Sequence, residues 1–182
     1  MPILKCTQKL LKVIGIQPTS QPDVPPTLLG DWSANLLSIS RQKVLLFTNE
    51  ATLYSFAVLG VRKAELSSLA DLFLQNLRVN LAAEDMPEHV IAKVAAQYRG
   101  LRMGRTDNRS VLGSMNELAM LLRQDVVDAG GFGGCDLQAI NRQLNRTPHR
   151  PLGGKFAADL LHERLVAPFV VPGRQERRVF LN

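Results

Sequence analysis

Three runs follow one another almost without pause: Trp32-Ser33-Ala34-Asn35-Leu36-Leu37-Ser38-Ile39, Lys43-Val44-Leu45-Leu46-Phe47-Thr48 and Thr52-Leu53-Tyr54-Ser55-Phe56-Ala57-Val58-Leu59. Only Ser40-Arg41-Gln42 and Asn49-Glu50-Ala51 separate them. The runs carry strand-forming residues and the gaps have hairpin length, which predicts a meander of antiparallel strands. In the first run Ala34 and Leu36 share one face, while Ser33, Asn35, Leu37 and Ile39 share the other. Asn35 stands out, because asparagine is depleted inside strands.

Outward from the meander the pattern turns helical. Residues 3–6 read as a short opening strand. Thr7 caps a short helix that carries Leu10, Leu11 and Ile14 inward, and Gly15 stops it. Residues 17–27 hold four prolines and read as a surface loop. Residues 63–83 repeat Leu66, Leu69, Ala70, Phe73, Leu77 and Leu81 at helical spacing. Pro87 opens a further helix to about Tyr98, and residues 101–105 suit another strand. Asp107 or Asn108 caps a helix reaching about Asp128. Residues 130–134 are glycine-rich. Asp136 caps a helix to about Asn145, and a last one covers 156–165. The predicted class is α+β: an antiparallel meander sheet of three to five strands, covered by about five helices mostly on one side. Residues 1–165 are expected to form one domain and 166–182 an Arg-rich, partly irregular tail.

Composition narrows the function. The chain has 182 residues, a hydrophobic content of 46% and a charged content of 21%, as in water-soluble globular domains. No apolar run is long enough to cross a bilayer, and no secretion leader is seen, so a cytoplasmic setting without membrane contact is expected. Cys6 and Cys135 are far apart and match no metal or redox spacing, which predicts reduced thiols. The formal charge is +6. Residues 1–98 hold nine Lys/Arg against eight Asp/Glu; residues 99–182 hold thirteen against eight, and twelve of those thirteen are arginine. Arginine's planar fork suits phosphate and carboxylate, so the excess points to a polyanion.

Two polar clusters interrupt the apolar periodicity. In the first, Arg109, Gly113 and Asn116 fall on one side of their helix, with Ser110 among the free N–H groups of its first turn. A glycine there costs about 1 kcal/mol relative to alanine, so a close neighbour or a ligand is expected at Gly113. In the second, Asn141 and Asn145 lie one turn apart, with Arg142 and Arg146 beside them. Such pairs contact phosphates or base edges, or tie a helix to its surroundings. Asn35, Thr48, Asn49, Tyr54, Arg109, Ser110, Asn116, Asn141, Arg142, Asn145 and Arg146 are therefore the candidate ligand-binding residues. No metal-ligand spacing, P-loop or nucleophile elbow is present, so neither metal nor cofactor is expected.

Four blocks carry a resemblance: Gly30 to Leu36, Leu46 to Ser55, Asn108 to Asn116 and Asn141 to Pro148. Over roughly residues 3–160 the chain resembles a bacterial domain family of unknown function, found alone or in plasmid- and transposon-associated open-reading-frame proteins. The resemblance implies no catalytic residues, and it places the four blocks in one domain. The expected function is a non-catalytic binding module for nucleic acid or another polyanion, serving a mobile element or defence system. Two alternatives stand beside it. One is a protein-interaction module, either a toxin–antitoxin-type partner or a homodimer. The other is an enzyme acting on a phosphorylated or nucleotide-like small molecule.

Overall fold

The computed structural model describes residues 2–19 and 27–166. Most of the proline-rich loop, and the expected Arg-rich tail beyond Val166, lie outside the described residues. The chain runs β1 (Ile3–Cys6), α1 (Gln8–Ile14), β2 (Trp32–Ile39), β3 (Gln42–Asn49), β4 (Ser55–Val58), α2 (Lys63–Leu66), α3 (Leu69–Ala83), α4 (Glu88–Gln97), β5 (Arg102–Arg105), α5 (Arg109–Asp128), α6 (Leu137–Asn145) and α7 (Ala157–Val166).

The local signals act where the sequence puts them. The Thr7 hydroxyl accepts from the Leu10 N–H, and Gly15 closes α1 in the left-handed region at φ 69°. Asn108 caps α5 through the Val111 N–H, and Asp136 caps α6 through Gln138 and Ala139. Ser40 and Arg41 both take positive φ, 45° and 67°, as a two-residue hairpin turn between β2 and β3 requires.

The expected mixture of helix and strand holds, but the sheet is not purely antiparallel. Its order is β4-β3-β2-β1-β5. The β2–β3–β4 meander is antiparallel as read, whereas β1 is parallel to both β2 and β5. Each parallel neighbour is reached by a crossover, through α1 on one side and α2–α4 on the other; the hairpin gaps that define the meander carry no information about either.

Helices cover both faces rather than one. On the first face Leu4, Cys6, Trp32, Ala34, Leu36, Leu45, Phe47 and Phe56 meet α1, α3, α4 and α7. On the second, Leu37, Ile39, Val44, Leu46 and Ala57 meet α5 and α6. The continuous apolar run Val44-Leu45-Leu46-Phe47, fully buried, is what two covered faces demand of a central strand. The expected helix over 63–83 breaks between α2 and α3. The Ser67 hydroxyl donates back to the Ala64 carbonyl at 2.6 Å and Ser68 to Glu65 at 3.4 Å, local bonds that compete with the helical ladder.

Both cysteines are free. Cys6 is enclosed in the first core, and burial pushes its thiol up to about 12. Alkylation of the native protein at mildly alkaline pH is therefore expected to modify the half-buried Cys135 and spare Cys6. Peptide mass spectrometry checks this, and equal labelling of the two would contradict the packing described.

Candidate functional site

The candidate residues divide by what their side chains touch. Asn141 and Asn145 sit one turn apart on α6, about 6 Å along the axis. Ser55 and Ala57 sit two residues apart on β4, about 6.7 Å. The two spacings match. The Ala57 N–H donates to Asn141 Oδ1 at 2.8 Å, and the Asn141 amide returns a longer bond to the Ala57 carbonyl at 3.5 Å. The Ser55 N–H donates to Asn145 Oδ1, and Asn145 Nδ2 donates to the Ser55 carbonyl, both at 2.7 Å. Because β4 is an edge strand, its outward N–H and C=O groups have no strand to pair with among the described residues. Two asparagine side chains take the place of that strand.

The clamp extends to the other layer. Asn141 Nδ2 donates to Asn80 Oδ1 on α3 at 3.0 Å, and Tyr54 donates its hydroxyl to the Asn80 carbonyl at 3.4 Å. Arg146 forks onto the buried Glu84 carboxylate at 3.2 and 2.9 Å. Burial, with the Glu84 charge nearby, raises the Tyr54 phenol well above its ordinary value. It acts as a neutral donor.

Asn49 builds the turn before β4. Its Oδ1 accepts from the Ala51 N–H, the Thr52 N–H and the Thr52 hydroxyl at 3.2, 3.0 and 2.9 Å. Its Nδ2 donates to the Leu29 and Asp31 carbonyls at 2.8 and 3.3 Å. This turn holds Leu53 at φ 58° and shortens β4, which the sequence placed from residue 52. Thr48 shares a 2.9 Å hydroxyl contact with Ser55. Thr48, Asn49, Tyr54, Asn141, Asn145 and Arg146 thus gather around the start of β4, each with intramolecular partners.

The other candidates do not join them. Asn35 is half-buried on β2 and accepts from the Thr7 hydroxyl at 3.1 Å. Arg109, Ser110 and Asn116 are exposed on α5, and Arg142 is exposed on α6. Gly113 also faces open space: among the described residues nothing lies within 4 Å of an added Cβ, so none of them approaches it as its cost had suggested.

A second polar centre escaped the sequence reading. Lys5, buried on β1, meets Asp31 and Glu50 at 2.9 Å each. Glu50 also accepts from Ser33 at 2.7 Å, and the Ser33 and Thr106 hydroxyls lie 3.3 Å apart. In register, Lys5, Ser33, Thr48 and Ser55 form one polar row across the second face, from β1 to β4. Burial pulls the Lys5 ammonium down, but the Glu50 and Asp31 hydrogen bonds outweigh it, and its pKa is raised above the usual 10.5. The charged form is the one favoured by folding. Its stabilisation is present below about pH 10.5 and is lost as pH rises through the raised value. The Tm advantage of the native chain over Lys5→Met is expected to shrink through that alkaline range. A gap independent of pH would contradict the assignment. One signal could have found the Lys5 centre, a lone lysine in an apolar strand; for the clamp it was Asn80 on the apolar stripe of α3 and Glu84 directly after that helix.

Cations collect instead at the surface. The β2–β3 turn and the segment after β4 enclose an open depression of about 360 Å³, lined by Arg41, Lys43, Arg62 and Lys63 with Gln42, Gly60 and Val61. All four cations are exposed, and among the described residues only Arg62 of the four has an acidic partner, Glu65 at 3.3 Å. The Val61 N–H donates to the Lys43 carbonyl at 3.0 Å and holds the two segments together. Among the described residues no group of His, Cys, Asp and Glu is placed to hold a metal ion, and no helix is long and apolar enough to cross a membrane.

The chain belongs to a family described as a domain of unknown function, DUF6933, whose profile matches residues 3–159. No curated protein matches the chain. The matched span contains the meander, the β4 clamp and the Lys5 centre.

Proposed function

We propose that this domain is a non-catalytic binding module for a polyanion, nucleic acid above all, and that its contact surface is the rim formed by Arg41, Lys43, Arg62 and Lys63. The supporting observation is that concentration of four exposed cations around one open depression, with a single acidic partner between them among the described residues. Exposed Lys and Arg bind phosphate by releasing condensed counterions, a term that needs no deep pocket. The strained Ser40-Arg41 turn carries one of the four cations to the tip of a hairpin, where a phosphate backbone can reach it. The interior asparagines support the reading differently, since their hydrogen-bonding capacity is committed to the fold. Arg142 remains exposed on α6 and serves as a flanking contact. A bacterial, cytoplasmic setting and a link to mobile elements belong to the same proposal.

Fluorescence anisotropy with labelled DNA and RNA across a salt series tests it. Binding is expected to weaken steeply with salt. Joint replacement of Arg41, Lys43, Arg62 and Lys63 by alanine is expected to lower the log–log slope on duplex DNA by about 3 to 4. Arg109→Ala with Arg142→Ala should cost less. Unchanged binding by the rim variant would move the site elsewhere, and no binding at low salt would end the reading.

A further inference from the structure

Helix α5 buries Val111, Met115, Leu118, Leu122 and Val126 against the sheet. Its outer face is only partly polar. Met120, Leu121 and Val127 are 69%, 38% and 64% exposed. Gly113, Met120 and Val127 recur every seven residues, so they lie along one line of the helix, with Arg109 beside it. Gly113 leaves a notch in that line, because open space surrounds the position of its missing Cβ.

The charges at the ends of α5 are opposite to those its own dipole favours. The first turn has Arg109 and no acid; the end has Asp125 and Asp128 and no base. Glu117 and Arg123, on the outer face, have no ion-pair partner among the described residues.

We infer that a second copy of this chain covers this face, with the two α5 helices antiparallel and the two-fold axis passing at Met120. In that register each Met120 meets its counterpart, and each Val127 enters the partner's Gly113 notch. Asn116 faces the partner's Arg123. Gln124 already donates one N–H to Asp128 at 2.7 Å and has a second for the partner's Glu117. Arg109 comes to the C-terminal end of the partner's helix, where Asp128 and the negative dipole end supply the missing partner. A parallel pairing would instead set Arg109 on Arg109 and Asp128 on Asp128. The inference is independent of the polyanion reading, which concerns the start of β3 and the segment after β4.

Sedimentation velocity of the full chain tests it, together with two variants. The native chain is expected at twice its 20.1 kDa mass across the micromolar range. Gly113→Leu fills only open space in the free chain, so it should fold as well as the native protein by circular dichroism and yet sediment as a monomer. Met120→Cys, in a Cys135→Ser background, should form a disulfide-linked dimer on mild oxidation. Arg109→Cys should not, because antiparallel counterparts lie about 33 Å apart. A monomeric native chain would overturn the inference, as would a dimer that survives Gly113→Leu or cross-links through residue 109.

Discussion

Asn145→Ala is expected to lower the unfolding free energy by about 2 to 4 kcal/mol, because it leaves the Ser55 N–H and C=O buried and unpaired. Each orphaned group costs about 1 to 3 kcal/mol. Asn141→Ala acts on the next rung at Ala57 and also breaks the bond to Asn80, so a similar loss is expected. Asn145→Asp separates the two halves of the amide. It keeps the acceptor for Ser55 N–H, removes the donor for Ser55 C=O, and adds a buried charge, so it should be no milder than alanine. Arg142→Ala, exposed on the same helix, should stay within about 0.5 kcal/mol. Chemical denaturation of the four variants gives these values. Anion binding supplies the control: a scaffold asparagine, once replaced, leaves the binding of the still-folded fraction unchanged, whereas a ligand-contacting one does not.

Asn49→Ala is expected to be at least as damaging, with a loss of about 3 to 5 kcal/mol. One buried amide organises five bonds and joins three segments: the residues before β2, the turn at 50–53 and the end of β3. The turn it holds contains Leu53 at φ 58°, a conformation costing a non-glycine residue about 1 to 2 kcal/mol. Without Asn49 nothing comparable repays that strain. Asn49→Asp keeps the three acceptor bonds, but it buries a charge and sets a carboxylate oxygen against the Leu29 and Asp31 carbonyls, so it should be no milder than alanine. Equilibrium unfolding of the pair measures the difference, and an Asn49→Ala protein as stable as the native chain would refute the role given to this turn.

Much of the fold was legible because its determinants are local. Thr7, Gly15, Asn108 and Asp136 act within four residues of where they stand, so their caps could be read directly. The meander was legible because a short gap between two strand-like runs leaves few ways to connect them. The place of β1 between β2 and β5 was not, since it depends on pairings made across crossovers. The break at Ser67–Ser68 was masked by apolar spacing that continues through it.

The candidate site shows the same division. The one-turn spacing of Asn141 and Asn145 was visible, but its meaning lies in Ser55 and Ala57, 90 and 84 residues away. The Lys5 centre draws on Asp31 and Glu50 in the same way. The rim of Arg41, Lys43, Arg62 and Lys63 joins residues on either side of β3 and β4, and the uneven charge along the chain had drawn attention to the C-terminal half instead.

Native-state hydrogen exchange at the Ser55 and Ala57 amides tests most directly the claim that two asparagines close the edge of the sheet. Both N–H groups point away from β3, where a bare edge strand would leave them to solvent. The predicted result is exchange as slow as that of the central strands in the native protein, with Ser55 losing protection in Asn145→Ala and Ala57 in Asn141→Ala. Fast exchange of both amides in the native protein, or protection unchanged in the two variants, would contradict it.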